Sequence, residues 1–164
     1  MLTLKTLQQF EDQIAKIQNR PASKVVIKNF PQAIEKIKSM YNYQDNEIQI
    51  NNDMMFQTYD IELVGIVFHE GRHAYQWHQI KNPETAIESI DLLKNWEREF
   101  LDYDQNLANM NDSIYYLKSI EIDAVAYTDL NLRSMTKVGL EIIEEMKELV
   151  KVRQKEILNK ETIF

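Results

Sequence analysis

The chain has 164 residues, 44% of them hydrophobic, and a formal net charge of −7. This length suits one compact domain with its own core, so residues 1–164 are interpreted as a single domain. Cysteine is absent, which excludes disulfides, cysteine-based zinc fingers and iron–sulfur clusters, so any metal must be held by His, Asp or Glu. The excess of carboxylates argues against a nucleic-acid partner.

The N-terminal part of the chain mixes helical and strand patterns. Apolar residues at helical spacing predict a helix over residues 3–19, and the β-branched run 25–27 predicts a strand. Pro31 opens a second predicted helix, which extends to residue 40. Residues 47–51 alternate between apolar and polar side chains, which is typical of a half-exposed strand.

The remainder of the chain is helical in character. Long apolar patterns predict helices over 59–80 and 83–105, a third from 113 to about 133, and a last one over 137–158. Residues 106–113, rich in Asn and Asp, predict a flexible connection. We therefore expect a predominantly helical α+β fold with a small sheet, in which the last helix is an extension that could serve in dimerisation.

One motif in the predicted helix 59–80 points to chemistry. His69, Glu70 and His73 form an H-E-x-x-H match, and the only other histidine in the chain is His78. Two histidines four residues apart lie one helical turn above each other, so both imidazoles can reach one zinc ion. The intervening glutamate can then take a proton from a water molecule on the metal. The motif predicts one zinc ion per chain, with Glu70 as general base.

On this motif the sequence resembles the zincin superfamily of metallopeptidases. The resemblance implies an edge strand above the metal that aligns an extended substrate, and the predicted strand 47–51 is the candidate. In the metzincin class the motif continues to a glycine and a third histidine, but this chain has Gln76 and Gln79 at those positions. His78 lies one residue short and points about 140° away from His73, so we interpret it as a surface residue or one on the substrate side.

Gluzincins take their third ligand from a glutamate in a later helix, commonly within E-x-x-A. Residues 121–124 match that pattern, so the resemblance implies Glu121 as the third ligand. Glu121 also shares an apolar helix face with Leu117 and Ala124, where a lone carboxylate is costly unless a cation meets it. The rival is Asp123, since aspzincins use aspartate, but it lies about 200° away and could instead orient a ligand histidine.

The E-x-x-A segment also resembles that of the mobile-element peptidases that inactivate phage repressors. In that family an asparagine follows the alanine and an aromatic residue comes two positions later. Ala124 and Tyr127 match, whereas Val125 stands at the asparagine position. Tyr127, and less strongly Tyr75, are candidates for stabilising the oxyanion of a tetrahedral intermediate.

These observations predict a zinc metallopeptidase that acts on peptides or proteins. The alternatives left open are a catalytically silent zincin-fold module used for regulation or binding, and a hydrolase of a non-peptide amide. The first residues lack the charge and apolar run of a signal peptide, and no segment is long enough to span a bilayer. We accordingly expect a cytoplasmic protein without membrane contact. The oligomeric state is left open.

Overall fold

The computed structural model describes residues 2–55, 58–105 and 113–164, which fold as predicted into a mainly helical α+β structure. Within these ranges no helix has the length and apolarity needed to cross a lipid bilayer. A single 3₁₀ turn, Gln32–Ile34, lies between the first two strands. The remaining elements, in chain order, are α1 (Leu4–Ile17), β1 (Lys24–Lys28), β2 (Ser39–Asn42), β3 (Glu47–Asn51), α2 (Asn52–Met55), α3 (Asp60–Lys81), α4 (Ile90–Gln105), α5 (Ser113–Tyr116), α6 (Ser119–Thr136) and α7 (Glu144–Lys160).

The three strands form one mixed sheet in the order β1-β3-β2. Strand β3 pairs with β1 in parallel and with β2 in antiparallel orientation, so that Ile48 is opposite both Val25 and Tyr41. The prediction that residues 47–51 form a half-exposed edge strand is therefore wrong. This strand is central, and its residues 48–51 are buried. Among the described residues, β1 and β2 form the edges of the sheet.

Helix α3 lies at the centre of the molecule. It contacts α1, α4, α6 and strand β2, and its apolar residues Leu63, Val67 and Phe68 are fully buried. Because other elements pack on most of its sides, this helix also carries buried polar side chains. Its position fixes the orientation of every residue in the H-E-x-x-H motif.

The two glycines of α3 differ in how closely other elements approach them. A β-carbon at Gly71 would lie 2.9 Å from the Glu11 carboxylate and 3.1 Å from the Arg20 guanidinium, which form a buried ion pair. A β-carbon at Gly65 would meet only Leu132 at 3.5 Å and Thr128 at 3.9 Å, which is ordinary van der Waals contact. Only Gly71 is therefore required by close packing.

The predicted helix over residues 31–40 is wrong beyond its first turn. After the 3₁₀ turn the chain extends, and residues 39–42 become strand β2. The backbone N–H of Asn51 donates to the carbonyl of Lys38 and starts the antiparallel ladder with β3. Pairing with a distant strand therefore overrides a spacing of apolar residues that also fits a helix.

Three helix boundaries also differ from the prediction. Helix α4 begins at Ile90 rather than at 83, because Ser89 caps its first turn through the N–H of Leu92. The helix predicted from 113 to 133 is broken at residues 117–118, where α5 has ended and α6 has not begun. The last helix starts at residue 144 rather than 137, because the Leu140 N–H is held by Asp129 in a loop. The connection predicted at 106–113 lies, up to residue 112, outside the described residues.

Candidate metal centre

The two motif histidines converge on one point. His69 and His73 lie one turn apart on α3, and their Nε2 atoms are 3.2 Å apart. His73 is buried, whereas the His69 side chain keeps a quarter of its surface exposed. Two imidazole nitrogens with this separation can contact a single ion, as the motif predicts.

Glu121 completes the group from the first turn of α6. Its Oε2 atom lies 3.3 Å from His69 Nε2 and its Oε1 atom lies 3.4 Å from His73 Nε2. The residue is 5% exposed. Helix α6 begins at Ser119 because the Glu99 carboxylate of α4 accepts the backbone N–H groups of Ser119 and Ile120. That cap fixes the first turn and so holds Glu121 against α3.

The three side chains fit a tetrahedral zinc site. One donor atom from each of His69, His73 and Glu121 lies within 4.8 Å of the others. With zinc–ligand bonds of 2.0–2.2 Å, tetrahedral geometry requires donor atoms about 3.3–3.6 Å apart. The two imidazole nitrogens, 3.2 Å apart, are close to that separation, and Glu121 brings Oε2 to 3.3 Å from His69 Nε2 and Oε1 to 3.4 Å from His73 Nε2. Two imidazoles and one carboxylate are also the donor set of a catalytic zinc site, which keeps its fourth position open.

The charges at this centre favour a cation. Burial lowers the pKa of His73, but the attraction of the adjacent Glu121 carboxylate is stronger than this effect and raises the pKa to about 9. Burial likewise opposes the Glu121 carboxylate, yet His73 and His69 hold the pKa of Glu121 well below its usual range. The field that stabilises a proton between these groups would also stabilise a metal ion in its place.

Gln76 determines which nitrogen of His73 faces the centre. The Gln76 amide nitrogen donates to the carbonyl of Ile120 at 2.9 Å and to Asp123 Oδ2 at 2.7 Å, and neither acceptor can donate in return. The amide oxygen must therefore be the atom that lies 2.8 Å from His73 Nδ1, which donates to it. In the neutral ring the Nε2 lone pair is then free to face Glu121 and His69.

Asp123 is excluded as a ligand by its partners. Both of its oxygens are bonded to Arg72 of the motif helix, at 2.8 and 3.0 Å, and Arg153 donates to it at 2.7 Å. Arg72 also binds Glu161, and Arg153 binds Glu88. Burial raises the pKa of Asp123, but the two arginines dominate and lower it to about 2. Asp123 thus orients a ligand histidine only through Gln76.

Glu70 lies beside the three candidate ligands without joining them. It is 4% exposed, and its Oε1 accepts a hydrogen bond of 2.7 Å from the hydroxyl of Ser39 on strand β2. Both residues line a cavity of about 640 Å³ that also contains His69, His73 and Glu121. Glu70 is therefore placed where a general base can reach a water molecule at the centre.

The structure adds Tyr115, which the sequence analysis missed. Its hydroxyl donates to Glu121 Oε1 at 2.6 Å, and its ring lines the large cavity. The break between α5 and α6 turns the chain so that this ring lies over the first turn of α6. No local pattern predicts the break, because its capping group, Glu99, comes from another helix.

The tyrosines predicted as oxyanion donors lie elsewhere. Tyr127 is fully buried, and its ring packs on the Arg72 guanidinium at 4.7 Å and against Phe68. Tyr75 is also buried, and the centroid of its ring lies 4.0 Å from the Arg72 guanidinium. Neither residue lines the large cavity, so the oxyanion role proposed for Tyr127 is not supported by its position. His78 accepts from Asn82 at the end of α3, away from the candidate ligands.

A second, smaller cavity adjoins the centre. It has a volume of about 190 Å³ and is lined by residues 40–44, His73, Phe100 and Ile120. The large cavity is lined by residues 36–39 of the same segment, and His73 belongs to both walls. The two cavities are therefore lined by consecutive parts of residues 36–44, and both reach His73.

Comparison with known proteins does not extend this description. The chain matches no family model, no curated protein and no solved structure. The zincin assignment accordingly stays a prediction that rests on the motif and on the geometry of the candidate ligands.

Proposed function

We propose that this chain is a zinc-dependent peptidase. The observation that supports this most strongly is the convergence of His69, His73 and Glu121, which each place a donor atom within 4.8 Å of the others, with Glu70 beside them in an open cavity. A structural zinc site closes its coordination with four protein ligands, whereas three ligands next to a cavity suit a catalytic site. A buried carboxylate that is not a ligand gives that site a base.

Three residues of this chain have a role in the proposed reaction. When bound, zinc supplies a Lewis acid that polarises a carbonyl and makes water acidic enough to lose its proton near neutral pH. Glu70 takes that proton and returns it to the leaving amine. Ser39 donates a hydrogen bond to one oxygen of Glu70 and so holds this carboxylate at the cavity wall. Tyr115, already within hydrogen-bonding reach of Glu121, is a candidate donor to the oxyanion.

The substrate we propose is an extended peptide aligned by β2, which replaces β3 as the candidate alignment strand. In the antiparallel ladder the backbone groups of residues 38, 40 and 42 face β3, since the Lys38 carbonyl accepts from Asn51. The N–H and C=O groups of Ser39 and Tyr41 therefore point away from β3, at the edge of the sheet. These groups offer a peptide the hydrogen bonds of an added strand.

The experiment that tests this function compares zinc-loaded wild-type protein with Glu70→Gln on an unstructured protein substrate. We expect the variant to keep its zinc and to lose about 10²–10⁴-fold in kcat, since it lacks the base. Glu62→Gln is the matched control, because Glu62 lines the same cavity, contacts Lys38 at 4.0 Å and accepts the backbone N–H of Tyr59 at 3.3 Å, a hydrogen bond that glutamine can keep. That control is expected to retain activity.

Two results would overturn the proposal in favour of the alternatives. Zinc-loaded wild-type protein that leaves peptides intact but hydrolyses a non-peptide amide would move the function to that class of substrate. Protein that binds zinc and hydrolyses neither would be a silent binding module.

A further inference from the structure

The smaller cavity beside His73 is walled by aromatic rings. Tyr43 and Phe100 line it together with the His73 ring, and the centroids of the His73 and Phe100 rings are 6.1 Å apart. Trp77 supports the wall from behind, at 4.3 Å from Tyr43 and 5.3 Å from Phe100. Because these rings pack on one another, the wall is held in place without a ligand.

The size of this cavity limits its occupant to a single side chain. A cavity of about 150 Å³ with an apolar lining is large enough to bind a benzene ring. The volume here, about 190 Å³, therefore suits a single aromatic ring and is too small for a longer segment of chain. Offset or edge-to-face contacts with Tyr43 and Phe100 would favour such a ring over an aliphatic side chain of similar area.

We infer that this cavity, lined by residues 40–44, His73, Phe100 and Ile120, is the subsite for an aromatic side chain of the substrate, next to the bond that is cleaved. The inference rests on the proposed peptidase function. His73 forms part of the wall, so the ring lies directly beside the candidate metal centre.

The direction of β2 assigns this subsite to one side of the cleaved bond. Antiparallel pairing is the more stable arrangement for an added strand. A peptide antiparallel to β2 has its N-terminal part near residues 40–44 and its C-terminal part near residues 36–39. The aromatic residue therefore precedes the cleaved bond, and the large cavity takes the residues that follow it.

The test uses zinc-loaded wild-type protein and peptides that carry Phe or Ala on either side of one cleavage position. We expect kcat/KM to be about tenfold or more higher with Phe before the cleaved bond, from burial of one aromatic side chain. Met40→Phe adds a ring to the wall of the cavity and should lower kcat/KM for the Phe peptide to the value for the Ala peptide. Met135→Phe, a 40% exposed methionine on α6, is the matched control and should leave the preference intact.

A binding measurement tests the subsite without catalysis. We expect N-acetylphenylalaninamide to shift the amide NMR signals of residues 40–44 in wild-type protein, and N-acetylalaninamide not to. Cleavage with no preference for Phe, together with no shift, would overturn the subsite and leave the peptidase function standing. A shift in a protein that cleaves no peptide would support the aromatic site and refute the peptidase function.

Discussion

Helix α3 carries two sets of polar side chains whose surroundings differ. On one side His69, Glu70 and His73 face a cavity, and His69 and His73 lie within 3.4 Å of each other and of Glu121. On the other side Arg72 is fully buried and makes paired hydrogen bonds to two carboxylates. Arg72 directly precedes His73 in the sequence, so both sides are built from one turn of the helix.

The difference separates residues that hold the fold from residues left available for a ligand. On the closed side, the Asp123 carboxylate is paired with the guanidinium groups of Arg72 and Arg153. Buried polar groups that are fully hydrogen-bonded in this way favour one arrangement of the packed core. The cavity side brings two imidazoles and a carboxylate together around one point instead. Changes on the closed side should therefore alter stability first, whereas changes on the open side should alter metal binding and activity.

The largest effect on stability is expected from Arg72→Met. This substitution leaves Asp123 and Glu161 buried without the guanidinium that bonds both, so the free energy of unfolding should fall by about 3–5 kcal/mol. Urea denaturation of metal-free protein measures it. His69→Ala, on the open side of the same helix, should lower the free energy of unfolding by about 1 kcal/mol or less. Equal losses of unfolding free energy in the two variants would contradict the distinction between the closed side and the open side of α3.

Zinc affinity should depend on Glu121 far more than on Asp123. Glu121→Gln removes a candidate ligand and should weaken zinc binding by about 100-fold or more, beyond the 10–100-fold typical of outer residues. Asp123→Asn should weaken it less, because it acts only through Gln76. Calorimetric zinc titration of both variants measures the difference. A larger loss in Asp123→Asn would reverse the assignment of the third ligand.

Gln76 connects the two sides, and Gln76→Leu tests that connection. Loss of the acceptor for His73 Nδ1 should weaken zinc binding by about 10–100-fold. Nitrogen-15 NMR of the zinc-loaded wild-type protein should find the proton of His73 on Nδ1, in accord with the orientation of the amide. A proton on Nε2 would show that Gln76 does not set the tautomer.

The two glycines of α3 provide a smaller test of packing. Gly71→Ala should destabilise the protein by about 1 kcal/mol or more, since the added methyl group meets the buried pair of Glu11 and Arg20. Gly65→Ala should be neutral or stabilising by up to about 1 kcal/mol, because alanine favours the helix and its methyl group would make only ordinary van der Waals contacts. Thermal denaturation of the two variants compares them directly, and similar shifts in both would show that α1 does not constrain Gly71.

Removal of zinc should have the least effect on the fold. The closed side of α3 is satisfied by protein groups alone, so chelation should lower the melting temperature and leave the helical circular dichroism at room temperature unchanged. Loss of that signal on chelation would mean that the ion contributes to the fold itself.

The sequence was most informative where the relevant spacing is local. His69, Glu70 and His73 lie on one helix, so the motif alone predicts that they are neighbours. The grouping of Glu121 with the two histidines is implied by the resemblance of residues 121–124 to the gluzincin E-x-x-A pattern, because Glu121 lies on another helix. The 31–40 segment was predicted wrongly because its strand exists only through pairing with β3. Tyr115 could not be predicted, since its place depends on a cap that Glu99 provides from another helix.

The central claim is that His69, His73 and Glu121 hold one zinc ion. The most direct measurement is the zinc K-edge X-ray absorption spectrum of the zinc-loaded protein, together with its zinc content. Our account predicts one zinc per chain, with two imidazole nitrogens at about 2.0–2.1 Å and the remaining ligands oxygen at about 2.0–2.2 Å. A spectrum with oxygen ligands and no imidazole, or a protein that retains no zinc after dialysis, would contradict it.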